Sequence, residues 1–125
     1  MRGENLQKLK SFHWYNKMKK EIVKIVVGVP ESHTAIVLEV LGTAGAGRVG
    51  NYSHCSSVIK SIGHFKPLEG AHPTMGTVGK LESVVEDRIE TWCDRKEISK
   101  IIKAVKKVHP YEEPIIDIYL LENVF

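Results

Sequence analysis

Cysteine is scarce in this chain, with only Cys55 and Cys93 in 125 residues, and they form no C-x-x-C pair. That spacing excludes the common zinc and dithiol signatures, and both residues are expected as reduced, small apolar fillers in or beside strands. No uninterrupted run of roughly 18 apolar residues occurs, so no membrane-spanning helix is expected. Lys8, Lys10, Lys17, Lys19 and Lys20 break up the N-terminal region before a signal-peptide-like stretch can develop. A cytoplasmic protein is the expectation. G-x-S-x-G, H-E-x-x-H and the P-loop lysine pattern are also missing, and no carboxylate pair sits in a context that implies catalysis.

What is present fits one compact domain: 42% hydrophobic and 26% charged residues. The net charge of +3 is unevenly placed. Residues 1–24 hold seven Lys/Arg against two Glu, whereas residues 25–125 hold eleven against thirteen acids. A basic leader on a mildly acidic body lacks the continuous positive face that tracks phosphates, so nucleic-acid binding is not expected. Residues 1–20 read as a basic extension, either disordered or a short helix. Met18 opens a run resembling a native start, which makes the preceding residues a mis-assigned start or an expression remnant. Residues 21–125 form the domain.

Along that domain, Ile22 to Val29 is a β-branched run ending at Pro30, the pattern of a strand buried on both faces. Ser32 is placed to cap a helix carrying Ile36, Val37, Val40, Leu41 and Ala44, which stops at the glycines beginning with Gly42. Cys55 to Phe65 reads as a second strand. Gly79 to Trp92 reads as a third, amphipathic one, because Leu81, Val85 and Ile89 alternate with charged residues. Asp94 and Glu97 suggest a capping box for a helix with Ile98, Ile101, Ile102, Val105 and Val108 at helical spacing. Ile115 to Leu121 supplies the last strand. The order βαββαβ predicts an α+β, ferredoxin-like sandwich: a four-stranded antiparallel sheet with two helices on one face. Its other face is then expected to be apolar and to drive self-association.

Three loops draw attention. Gly45-Ala46-Gly47-Arg48-Val49-Gly50 matches the dinucleotide fingerprint G-x-G-x-x-G, but it follows a helix instead of opening one, where the dipole repels phosphate. It reads as a helix end and turn, or alternatively as a backbone-amide nest with Arg48. The second loop, from Lys66 to Gly79, is shaped by Pro67, Gly70 and Pro73. The third is His109-Pro110-Tyr111-Glu112-Glu113-Pro114, whose imidazole and carboxylates suit a divalent metal or a proton exchange, although the spacing is no recognised metal signature. It can equally cap the helix end. His54, beside Cys55, is a candidate to join such a metal set, as is His72 on the second loop.

Taken jointly, Ala44-Gly45-Ala46-Gly47, Gly50-Asn51-Tyr52 with Cys55, Phe65-Lys66-Pro67, Gly70-Ala71-His72-Pro73, Gly76, Gly79, Glu82, Val84, Glu86, Arg88-Ile89-Glu90 and the HPYEEP segment resemble one family. It is the PII/CutA-like domain of NIF-three-like proteins, and the resemblance runs from about Val27 to Leu121. Ser57 departs from it, standing where an aromatic residue commonly follows the Cys-Ser pair, and His72 stands where Asn is common.

The resemblance implies a PII/CutA-like fold and a homotrimer. In the longer relatives a dinuclear metal site lies in flanking domains with no counterpart in these residues, so their metal-dependent, GTP cyclohydrolase-like hydrolase activity is not implied. The expected function is an oligomeric regulatory module, not a complete enzyme. It would bind a small molecule through Arg48, Asn51, Tyr52, His72 and Tyr111, in clefts between subunits where the three loops meet. The alternative is a CutA-like divalent-metal binder holding zinc or copper through His109, Glu112, Glu113, His54 and Cys55.

Overall fold

The β-branched run becomes strand β1, Ile22–Pro30. In the computed structural model, which describes residues 21–122, it lies near the centre of a four-stranded antiparallel sheet. The expectations for residues 1–20 fall outside the described residues. Strand β2 is Ser57–Phe65, β3 is Glu82–Asp94 and β4 is Ile116–Leu120, in the sheet order β2-β3-β1-β4. Helices α1, Thr34–Ala44, and α2, Ile98–Val108, complete the βαββαβ order. The fold is the ferredoxin-like sandwich that the pattern predicts.

Register assigns the two faces. Val23, Ile25, Val27 and Val29 pair with Cys93, Thr91, Ile89 and Asp87, and all eight are buried. All but Thr91 and Asp87 join Val37, Leu41, Ile101 and Val105 of the helices in one hydrophobic core. Within α2 the apolar residues follow the 3.6-residue period, so a single stripe meets the sheet while the lysines face outward. Cys93 lies in this core, where burial, with Asp94 and Glu97 adding, pushes its thiol up to about 11 and leaves it unreactive.

Several local expectations change. Ser32 does not cap α1. A short 3-10 turn, Glu31–His33, precedes that helix, and the Ser32 hydroxyl bonds the His33 ring at 2.8 Å. Glycine 42 does not end α1 either; the helix runs on to Ala44 and closes at Gly45 (φ 115°), with Ala46 N–H donating to the Leu41 carbonyl in a Schellman-type end. Asp94 does cap, accepting from Lys96 N–H at 3.2 Å, but it caps the 3-10 turn Arg95–Glu97 ahead of α2, and Glu97 turns towards Lys100.

The open face is also less apolar than expected. It carries the ion pair Lys24–Glu90 at 2.9 Å and a 3.4 Å bond from Arg88 to the Tyr119 hydroxyl, so apolar area there does not by itself demand a partner. Exposed apolar side chains cluster instead at the β2 edge of the helix face, where Val58 and Ile62 pair with Ile89 and Val85.

One polar junction pins that edge. Asp87 is buried beneath the start of α1, accepts from Thr34 Oγ1 at 2.6 Å and meets Lys60 Nζ at 2.7 Å, while the same ammonium reaches Glu31 at 2.9 Å. The Lys60 contact first, and then the Thr34 bond, hold the Asp87 carboxyl below its ordinary value. Both ionised groups thus keep partners at the protein boundary.

Candidate functional site

The site begins with two glycines in strands, positions where a missing side chain usually marks a close approach. Gly28 lies in β1 and Gly63 in β2, flanking β3 on the open face, and the Glu86 carboxylate of β3 lies over both. A Cβ at Gly63 would run into that carboxylate, and one at Gly28 would stand 3.3 Å from its Oε1. Tyr111 donates its hydroxyl proton to Glu86 Oε2 at 2.7 Å. Burial, together with this carboxylate, raises the phenol's pKa, so Tyr111 stays a protonated donor.

His109 holds Tyr111 in place. Strand β1 continues beyond its last pairing with β4 at Val27, and His109 Nε2 lies 2.7 Å from the next carbonyl, that of Gly28. A carbonyl only accepts, so Nε2 carries the proton; Nδ1 is then free to accept from Tyr111 N–H at 3.2 Å. The two rings pack 4.9 Å apart. Burial pushes the His109 imidazole below its ordinary 6.5, outweighing the opposite pull of the Gly28 bond and Glu86.

The linkage has a definite sign. An unfolded chain takes up a proton near pH 6.5 that the folded one refuses, so the contribution is intact above that pH and is lost as pH falls through the folded value. The unfolding midpoint is therefore expected to drop as pH is lowered from 7 towards 5. His109→Gln should flatten that slope, while His109→Ala should cost about 2 kcal/mol at pH 7.5 by leaving the Gly28 carbonyl unpaired. Thermal melts across this range check both.

Above the Glu86 floor, the loop from Lys66 to Gly79 folds over the sheet. Gly79 N–H donates to the Pro67 carbonyl at 2.8 Å, and Thr74 Oγ1 donates to the Pro110 carbonyl at 2.6 Å. The His72 N–H reaches both Glu112 oxygens, at 3.2 and 3.3 Å. Between loop and sheet lies a mainly apolar cleft of about 370 Å3, walled by Phe65, Leu68, Met75 and Val84, with Glu86, Glu112, Glu113 and Tyr111 also lining it.

Two of the three expected loops thus meet within one chain. The Gly45–Tyr52 loop does not line this cleft. Its Gly47 N–H donates to the Trp92 carbonyl at 2.6 Å, towards the opposite end of β3 from Glu82, and the N–H groups of Gly45, Ala46 and Val49 are bonded to Gly42, Leu41 and Tyr52. Those amides are occupied, so they form no anion nest around Arg48. Arg48, Asn51 and Tyr52 are exposed.

The metal set is not assembled either: among the described residues, no three His, Cys, Asp or Glu side chains stand together to hold an ion. Both His109 nitrogens are engaged, Glu112 takes the His72 amide, and His54 lies over Gly42 with Nδ1 2.9 Å from Ser53 Oγ and Nε2 3.6 Å from Glu39. His54 adopts φ 60°, and Cys55 serves through its backbone, donating to Gly47 and accepting from Thr91. Glu86, Gly28 and Gly63 are the site residues that sequence reasoning did not assign. The glycines inside strand patterns were the available signal.

Comparison with known proteins follows this geometry. No protein-family model matches the chain. Over 104 residues, 83% of its length, it is 48% identical to the GTP cyclohydrolase 1 type 2 homolog of Halalkalibacterium halodurans, covering 28% of that protein. The Bacillus subtilis counterpart is 48% identical over 100 residues. A solved Bacillus cereus protein related to NIF3 superposes with a TM-score of 0.74 at 45% identity, over 83% of this chain and 26% of that one. The chain is a PII/CutA-like domain of the NIF-three-like family. Its CutA side is visible in fold alone: the PII-like protein CutA from Nostoc sp. gives a TM-score of 0.60 at 14% identity, over 81% of this chain and 82% of that one. This NIF-three-like domain spans just over a quarter of the length of the curated relatives it matches. Among the described residues no helix is long and apolar enough to cross a membrane.

Proposed function

We propose that the chain is a small-ligand-binding regulatory module that works as a homotrimer, with its site in the cleft between the Lys66–Gly79 loop and the HPYEEP segment. The observation that carries this reading is the bonded construction of the cleft. Two proline-shaped segments bond to each other across it, and its floor holds one carboxylate oriented by a half-buried phenol. A concave, mostly apolar volume with a few convergent polar groups is the usual form of a small-molecule site. Catalysis has less support: Tyr111, whose hydroxyl meets the Glu86 carboxylate, is held protonated as a donor. The cyclohydrolase name belongs to relatives more than three times longer than the matched segment.

A thermal-shift screen with amines, nucleotides and carboxylates tests the proposal. At least one class should raise the midpoint of the native protein, as ligand linkage requires, and Ala71→Phe, which fills the cleft, should abolish the rise. Light scattering on the same sample is expected to give three times the 14.1 kDa chain mass. A rise that survives Ala71→Phe would move the site elsewhere, and a monomer would remove the trimer.

A CutA-like metal role draws on one solved neighbour being described as a periplasmic divalent cation tolerance protein, from Archaeoglobus fulgidus. In this chain it would require His109 to give up Gly28 or Tyr111. Calorimetry with zinc and copper distinguishes it, with no heat above buffer as the expected result.

A further inference from the structure

The charge of the cleft narrows what it can take. Three carboxylates, Glu86, Glu112 and Glu113, line it against one ammonium, Lys66. Two of the carboxylates are oriented by the protein: Glu86 by the Tyr111 hydroxyl and Glu112 by the His72 N–H. Those bonds leave Glu86 Oε1, the oxygen lying above Gly28 and Gly63, with no donor from the described residues. An acceptor held at the floor of a mainly apolar, half-open cleft is completed by a donor, and most strongly by a charged one, because Coulomb attraction grows as water is displaced. An anionic ligand would meet three like charges there. A neutral one would leave them unanswered.

We infer that the cleft takes a cationic nitrogen, an ammonium or amidinium, carried on a small apolar body, with the nitrogen donating to Glu86 Oε1 and the body packed between Phe65 and Met75. This rests on the cleft being the ligand site, and it adds the ligand's charge and the residue that selects it. Gly28 and Gly63 belong to the same device, since a side chain at Gly63 would displace the carboxylate that reads the cation and one at Gly28 would crowd it.

Three isosteric probes test it on the full chain at pH 8: benzamidine, benzamide and benzoate, followed by NMR through the methyl signals of Met75 and Ala71. Benzamidine should move both signals and bind at least about tenfold tighter than benzamide, while benzoate moves neither; Glu86→Gln should erase the tenfold margin. Should Glu86→Gln lose its native amide spectrum, the salt dependence of the native protein decides instead. Benzamidine affinity should weaken several-fold from about 20 to about 500 mM NaCl, and benzamide affinity should not change. Equal binding of benzamide, binding of benzoate, or salt-independent benzamidine affinity overturns the charge assignment and leaves the cleft as a ligand site. No movement of either methyl with any probe at tens of millimolar overturns both.

Discussion

Gly47→Ala is expected to destabilise the protein by about 3 kcal/mol, read as a lower urea midpoint with an unchanged slope. Two effects combine at this residue. Its φ of 77° lies in the left-handed region that an L side chain enters at a cost, and an added Cβ would strike the backbone nitrogen and carbonyl oxygen of Cys55. Those atoms cannot swing aside, because Cys55 N–H donates to the Gly47 carbonyl at 2.9 Å and its own carbonyl accepts from buried Thr91 at 2.7 Å. Gly45→Ala is the control. Its φ is 115°, but nothing lies within 4 Å of the added atom, so only the conformational cost of about 1 kcal/mol should appear. Equal losses at the two positions would mean that the loop is not packed on Cys55.

Ile89→Ala is expected to cost about 3 to 4 kcal/mol, a large part of the 5 to 15 kcal/mol typical of a domain. Ile89 is fully buried, stands opposite Val27 on one side and Val58 on the other, and lies under the helices, so the cavity left behind has no solvent route for collapse. Ile59→Ala removes the same atoms from a residue that is 49% exposed on the open face, and should cost less than about 1 kcal/mol. Chemical denaturation of the pair separates core burial from strand propensity.

The elements with strong periodicity were legible before any coordinates. Strand β1 and helix α2 carry their burial in the order of their residues, and Ile101 and Val105 are buried where a 3.6-residue stripe places them. The helix starts were less legible. A serine or an acid three residues ahead of an apolar run fits an α-helical cap and a 3-10 turn equally well, and tertiary packing chose the turn both times.

Half of the site was visible. HPYEEP and the Pro67–Gly79 loop announced themselves by composition, whereas Glu86 looked like one more solvent-facing charge in an alternating strand. Its pairing with Tyr111, 25 residues away, depends on sheet register. His109 was ambiguous for a similar reason: a histidine amid prolines and acids resembles a ligand, and the bond of its ring to the Gly28 carbonyl beyond the β4 pairing depends on sheet register. The Gly45–Tyr52 loop was expected at clefts between subunits; within one chain it docks towards the far end of β3, and sequence order does not say at which end of a strand a loop will dock.

The Lys60 junction governs how the edge of the sheet comes apart. Strand β2 has a neighbour on one side only, and fraying from its Ser57 end must first break the bonds that hold Cys55 to Gly47 and Thr91. At Lys60 that fraying meets an ammonium gripped by Asp87 of β3 and by Glu31 at the entry to α1. Beyond it lie Gly63 and Phe65, the part of β2 that floors the cleft. The junction therefore acts as a second hold on the edge strand, standing between its free end and the carboxylate seat.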